Sequence, residues 1–197
     1  MDVTADLAVL LGEIRACTRC EPELELGARP ILQAGTGASV VIIGQAPGRK
    51  VHASGVPWDD PSGQRLRQWL GLTSDEFYDP TQVALIPMGF CFPGSTDAGD
   101  KPPRPECAPL WHPQLLDLLP ERSMTIVIGA YAMKRYVPEA GGTLTETVSR
   151  WREFLPGRAV LPHPSPRNRR WLSTNPWFEE DVVPALRELV RSALHPA

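Results

Sequence analysis

Four cysteines are the chain's plainest chemical signal: Cys17, Cys20, Cys91 and Cys107. The first two form a C-x2-C pair, a spacing that lets two thiolates grip one metal from a single turn. The second two bracket a Pro/Gly-rich loop as C-x15-C and can complete a four-thiolate shell. All four fall in loops or at element ends, which favours a shared metal over four unliganded thiols in a core. Ligand type alone leaves iron–sulfur and zinc both open. A C-x-x-C redox pair is a lesser alternative, because no strand precedes Cys17.

The elements that must hold these groups can be read from periodicity. Residues 4–16 place Leu7, Leu10, Leu11 and Ile14 at helical spacing, with Thr4 as the expected cap. Residues 39–44 are a β-branched run ending in Gly44, the pattern of a buried parallel strand. Further strands are expected at 83–86, 124–129 and 158–162, with helices at 63–71, 110–119, 130–136 and 179–194. The 87–109 loop is too long to be idle in a compact domain. Strands alternating with helices predict an α/β fold with a doubly wound parallel sheet. Ligands of such sheets sit outside the carboxyl ends of the strands. The loops at 44–61, 87–109 and 162–170 therefore converge on one side, and the site is expected there.

Two of those loops carry short motifs. Gly44-Gln45-Ala46-Pro47-Gly48 follows the first strand, and His163-Pro164-Ser165-Pro166 follows the last. These are the two motif positions of the uracil-DNA glycosylase superfamily. The first resembles the G-E-A-P-G of the iron–sulfur, family 4 enzymes, and the second resembles the H-P-S-P of the best-known uracil-DNA glycosylases. The cysteine pattern is similar to the family 4 cluster ligands as well. The resemblance covers about residues 17–166. It implies a three-layer α/β/α fold with a four-stranded parallel sheet, one domain spanning residues 1–197, and a DNA N-glycosylase (hydrolase) activity in base excision repair. It also implies a 4Fe–4S cluster on Cys17, Cys20, Cys91 and Cys107, with zinc the alternative.

An enzyme of this kind flips a base into a pocket, stacks it on an aromatic ring and reads its edge. The resemblance puts Trp58 at the stacking position. Gly44, Pro47 and Gly48 let backbone approach the base, with Gln45 and Ala46 in the same loop. His163 is expected to donate to the pyrimidine O2, where negative charge develops as the glycosidic bond breaks. Ser165, Arg167, Asn168, Arg169 and Arg170 form the expected edge for DNA phosphates. Every one of these positions has an ordinary structural use too. Trp58 could serve the core, His163 a satisfied loop, Ser165 a turn cap, and the arginines a solvated face.

The motifs depart from the family pattern where activity is at stake. The best-known enzymes carry an aspartate third in the first motif, where Ala46 stands here. Family 4 carries glutamate second, where Gln45 stands. The nearest carboxylates are Asp59 and Asp60, in a stretch that resembles the F-T-G-D-x-S-G of family 5. Matching back from Ser62-Gly63 selects Asp60 as the catalytic residue, while capping of the following helix is its structural alternative. The family's base-reading asparagine on the second strand falls on Pro87. Backbone groups of Met88 or Gly89 are the expected substitutes. A glycosylase-like module that binds modified or single-stranded nucleic acid without cutting it is therefore the alternative function.

Composition sets outer bounds. A net charge of −3 over 197 residues argues against a tight, non-specific nucleic-acid binder, though not against a local basic patch. The first twelve residues carry acidic groups and no long apolar run, so no signal peptide is expected. No stretch approaches the ~20 apolar residues of a membrane span. A cytoplasmic monomer with reduced thiols and no membrane partner is expected, acting on DNA that contains uracil or another damaged base.

Overall fold

The computed structural model describes residues 2–97, 99–119 and 122–196. Helices α1 (Val3–Arg15), α2 (Arg49–Ser54), α3 (Pro61–Leu70) and α4 (Ser74–Tyr78) interleave with strands β1 (Val40–Ile43) and β2 (Val83–Leu85). A short hairpin follows, β3 (Ser95–Thr96) with β4 (Gly99–Asp100), then α5 (Cys107–Asp117). The chain continues through β5 (Met124–Ile128), α6 (Gly129–Tyr136), α7 (Leu144–Ser149), β6 (Arg158–Leu161), α8 (Arg169–Thr174) and α9 (Val183–Leu194). Among the described residues no helix is long and apolar enough to cross a membrane.

The main sheet runs β2-β1-β5-β6, every neighbouring pair parallel, with helices flanking it as the α/β pattern predicts. Val40 to Ile43 are fully buried, as parallel strands covered on both faces require. Truncating one of them to alanine would cost about 2–5 kcal/mol through lost burial and a residual cavity. α3 packs on α9, which lies against β1, and α6 lies against β5 and β6. The chain leaves β1 toward β2 and returns to the other side of β1 at β5. That reversal opens a crevice at the carboxyl end of the sheet.

Local chemistry moved several boundaries. α1 is capped by Asp2 rather than Thr4, because the Asp2 carboxylate accepts from the Thr4 and Ala5 N–H groups. α5 begins at Cys107, three residues before the expected start, since a proline at 109 is tolerated in a first turn. α4 and α7 are too short to show a period. Both carry complete capping boxes, Thr73 with Glu76 and Thr143 with Glu146, which is the signal that could have found them. The terminal helix is preceded by a π-turn at Phe178–Val182.

Candidate functional site

A cleft of about 570 Å³ opens at the carboxyl end of the sheet. Its walls come from the loops after β1, β2 and β6, and from the β3–β4 hairpin. Gly44, Gln45, Ala46, Pro47, Gly48, Trp58, Asp60, His163, Ser165, Arg167 and Asn168 all line it. Glycine shapes the wall at two points. A Cβ on Gly44 would lie 2.7 Å from the Trp58 ring, and one on Gly63 would lie 1.8 Å from the Trp58 carbonyl oxygen. Trp58 itself is held at φ 58°, a left-handed conformation that a bulky residue adopts only when its surroundings impose it. The strained backbone, with glycine beneath the ring and beside the carbonyl, sets the indole where it faces the cleft while still packing on the core.

His163 faces that indole. The two ring centroids are 5.7 Å apart, 29° from coplanar. The Ser165 backbone N–H donates to His163 Nδ1 at 3.2 Å, so in the neutral ring Nε2 carries the proton. Burial pushes the His163 pKa below its ordinary value, against the charges of Asp60 and Asp100, which pull it back up. The loop braces itself further. Ser165 Oγ accepts from the Arg167 N–H at 3.2 Å, and Asn168 Nδ2 donates to the His163 carbonyl at 2.7 Å. The result is a neutral imidazole with one nitrogen committed and the other left as a donor.

The four cysteines line a second, small cavity together with Leu24, Phe90, Arg104 and Trp111. None forms a disulfide. Burial pushes the Cys91 thiol up to about 11 and the Cys107 thiol up to about 12. The Cys107 sulfur accepts from the Phe90 N–H at 3.4 Å. Among the described residues no three His, Cys, Asp or Glu side chains gather tightly enough to hold a single metal ion. Four thiols on one cavity with apolar neighbours are a soft donor set, the ligand type that metal–thiolate centres use.

The sequence comparison decides the family. The family model for the uracil DNA glycosylase superfamily matches residues 33–187. The chain belongs to that superfamily. The matched span takes in the whole main sheet, both motif loops, Cys91 and Cys107, and leaves Cys17 and Cys20 outside.

Against that uracil-DNA glycosylase frame, the two residues expected to read the base through their backbone stand elsewhere. Met88 and Gly89 do not line the cleft, and their N–H groups are not free to read a base. Met88 N–H donates to the Gly44 carbonyl at 2.9 Å and Gly89 N–H to the Gln45 carbonyl at 3.0 Å, tying the second loop to the first. Gly89 instead lines the cysteine cavity. Asp59 is exposed and outside the lining. Asp60 lines the cleft and also caps α3, its Oδ1 accepting from Gly63 N–H at 2.8 Å. Asp60 thus lines the cleft and caps a helix at once, and Ser165 lines the cleft while closing its own turn.

Pro87 does line the cleft in the position that resemblance gives to asparagine. Its carbonyl accepts from His112 Nε2 at 3.0 Å, and the opposite ring nitrogen of His112 meets the Tyr136 hydroxyl. Burial pulls the His112 pKa down to about 4, so that ring is a neutral strut. Arg169 and Arg170 are exposed at the start of α8 and lie outside the lining, whereas Arg167 and Asn168 belong to it. Sequence reasoning missed Arg49, Lys50, Ser62 and Asp100, all of which line the cleft. The basic pair directly after Gly48 was a usable signal. Asp100 gave none, since it sits in an irregular Gly/Pro-rich stretch.

Proposed function

We propose that the protein is a DNA glycosylase that hydrolyses the N-glycosidic bond of uracil or a related deaminated base, acting as a one-domain monomer in base excision repair. The observation that carries this reading is the Trp58–His163 pair, with His163 Nδ1 already engaged by the Ser165 N–H. A flipped base stacks on Trp58 beside Gln45, and its departure leaves negative charge that His163 Nε2–H stabilises. Asp60 positions water or stabilises the sugar cation. Arg167, Arg169, Arg170, Asn168 and Ser165 hold the phosphates.

Cys17, Cys20, Cys91 and Cys107, which line one cavity, would hold a 4Fe–4S cluster in preference to zinc, because their spacing resembles that of the family 4 ligands. A cluster there supplies a structural cross-link between the N-terminal segment and the 87–109 loop. Gly89 and Phe90 carry that bracing to the cleft, through the bond from Gly89 to the first loop. A brown protein with visible absorbance that bleaches on acidification is the expected result, and a colourless zinc protein would reverse the metal assignment.

A second reading is favoured by the lack of any carboxylate among Gln45, Ala46, Pro47 and Gly48. It is a module that binds modified or single-stranded nucleic acid without cutting it. Incubating the protein with oligonucleotides containing uracil, hypoxanthine or xanthine, then cleaving abasic sites with alkali, separates the two. Strand scission on at least one substrate is expected. Tight binding with no scission would transfer the assignment to the binding module.

A further inference from the structure

We infer that Asp100 is a second catalytic carboxylate of this cleft, the group that takes the proton from the attacking water. The inference rests on the glycosylase reading and splits between two residues the tasks given above to Asp60. Hydrolysis needs a group that orients water on the sugar while the base departs. The first loop offers no carboxylate. Asp60 has one oxygen committed to the α3 cap, so turning it toward a water would uncap the helix. A carboxylate pinned through Oδ1 suits a stationary charge beside the sugar cation.

Asp100 enters the cleft from β4, on a separate element from Asp60. Its Oδ1 accepts from the Ser95 hydroxyl at 2.7 Å across the hairpin. Its Oδ2 lies against the first loop, since a Cβ on Gly48 would stand 3.4 Å from it. The hairpin is anchored, with Lys101 N–H donating to the Gly94 carbonyl at 2.9 Å and Thr96 Oγ1 to the Gly99 carbonyl at 3.1 Å. Arg167 reaches across the mouth to the same hairpin, where only glycine leaves room. A Cβ on Gly99 would fall 2.1 Å from the Arg167 guanidinium. Both carboxylates also act on the His163 ring, which puts them within electrostatic reach of the departing base.

In the step assigned here, the water oxygen bonds to C1′ as the bond from C1′ to the base nitrogen breaks. The electron pair of that bond leaves with the base, and for uracil the charge that develops on O2 is held by His163 Nε2–H. Water gives one proton to Asp100, which returns it to solvent, and the base is protonated from solvent after release.

The test is single-turnover base release by the intact chain carrying Asp100→Asn, Asp100→Ala or Ser95→Ala, on the uracil, hypoxanthine and xanthine oligonucleotides. Asp100→Asn is expected to lose on the order of a hundredfold or more in rate, with DNA affinity nearly unchanged. Formate should restore part of the Asp100→Ala rate and none of the Asp100→Asn rate. Ser95→Ala, which only frees the carboxylate, should lose roughly tenfold or less. An active wild type indifferent to Asp100→Asn would overturn the inference and leave the glycosylase reading standing. A loss that formate cannot rescue, matched by a drop in melting temperature or DNA affinity, would assign Asp100 a structural role instead. A wild type that releases no base from any of the three would overturn the glycosylase reading and this inference with it.

Discussion

The two ends of the cleft are built on opposite principles. At the His163 end, hydrogen bonds inside one six-residue loop fix the side chain that the proposed reaction sets against the departing base. Ser165 N–H sets the ring tautomer, Asn168 holds the His163 carbonyl, and Ser165 Oγ closes the turn. At the Pro87 end, the bonds run between loops and use up the groups that could have met a base. Met88 and Gly89 N–H bind the first loop, and the Pro87 carbonyl binds His112. On the proposed reading one end is preorganised for leaving-group chemistry, and the other is organised for its own rigidity. The proposed reaction therefore makes bond cleavage and base recognition separable in this cleft, with fewer free N–H groups at the second.

The largest effect should come from the preorganised end. His163→Ala is expected to slow base release by about a hundredfold or more while changing affinity for damaged DNA little. The hydrogen bond it removes matters most once the departing base carries charge, so the loss belongs to the transition state. Single-turnover rates and binding isotherms on the same oligonucleotide measure the two quantities. Equal losses in both would make the two ends alike and end the contrast.

The Pro87 end should declare itself in stability rather than rate. His112 is buried and neutral in the fold, with its pKa down at about 4 from an ordinary 6.5. Because the folded value is depressed, the native state takes up its proton later than the unfolded chain. Stability from this group is complete above pH 6.5 and is lost as pH falls toward about 4. The full span is worth about 3 kcal/mol. Denaturant unfolding at pH 7 and pH 5 should show a steeper acid loss for wild type than for His112→Phe. Equal slopes would mean that the imidazole is not held neutral.

Much of this cleft could be read from the chain alone, for physical reasons that differ by residue. The strands were legible because Val40 to Ile43 and their partners are buried on both faces and carry no alternation. Gly44 to Gly48 and His163 to Ser165 were legible because a strand end leads straight into each. The pairing that takes up the Met88 and Gly89 N–H groups was not, because backbone bonds between two loops leave no mark on side-chain identity. Asp100 was invisible for a related reason. Strands of two residues have no period, and only the hairpin's closure brings that carboxylate to the cleft.

A smaller effect follows from giving the Pro87 end what it lacks. Pro87→Asn adds an amide that can both donate and accept, while the backbone carbonyl that His112 holds remains in place. Uracil release should rise relative to hypoxanthine release by roughly tenfold, the value of one good hydrogen-bonding contact of about 1–3 kcal/mol less its ordering cost. The ratio of single-turnover rates on the two oligonucleotides is the readout. An unchanged ratio would show that recognition is already complete without this position.

The smallest effects belong to the arginines, and they separate the mouth of the cleft from its flank. Arg167 lines the cleft and lies against Gly99, whereas Arg169 is exposed at the start of α8 and outside the lining. A phosphate contact made by either side chain releases condensed counterions. Each alanine variant should therefore flatten the slope of log affinity against log salt by about one unit, a change of only a few-fold in affinity at fixed salt. Base release should tell the two apart. Arg167→Ala loosens the hairpin that carries Asp100 and should slow the chemical step even at saturating protein, while Arg169→Ala should leave that step alone. An unchanged salt slope in both variants would mark the cluster as a solvated face. A slowed chemical step in Arg169→Ala would extend the working part of the His163 end along α8, beyond the loop that braces it.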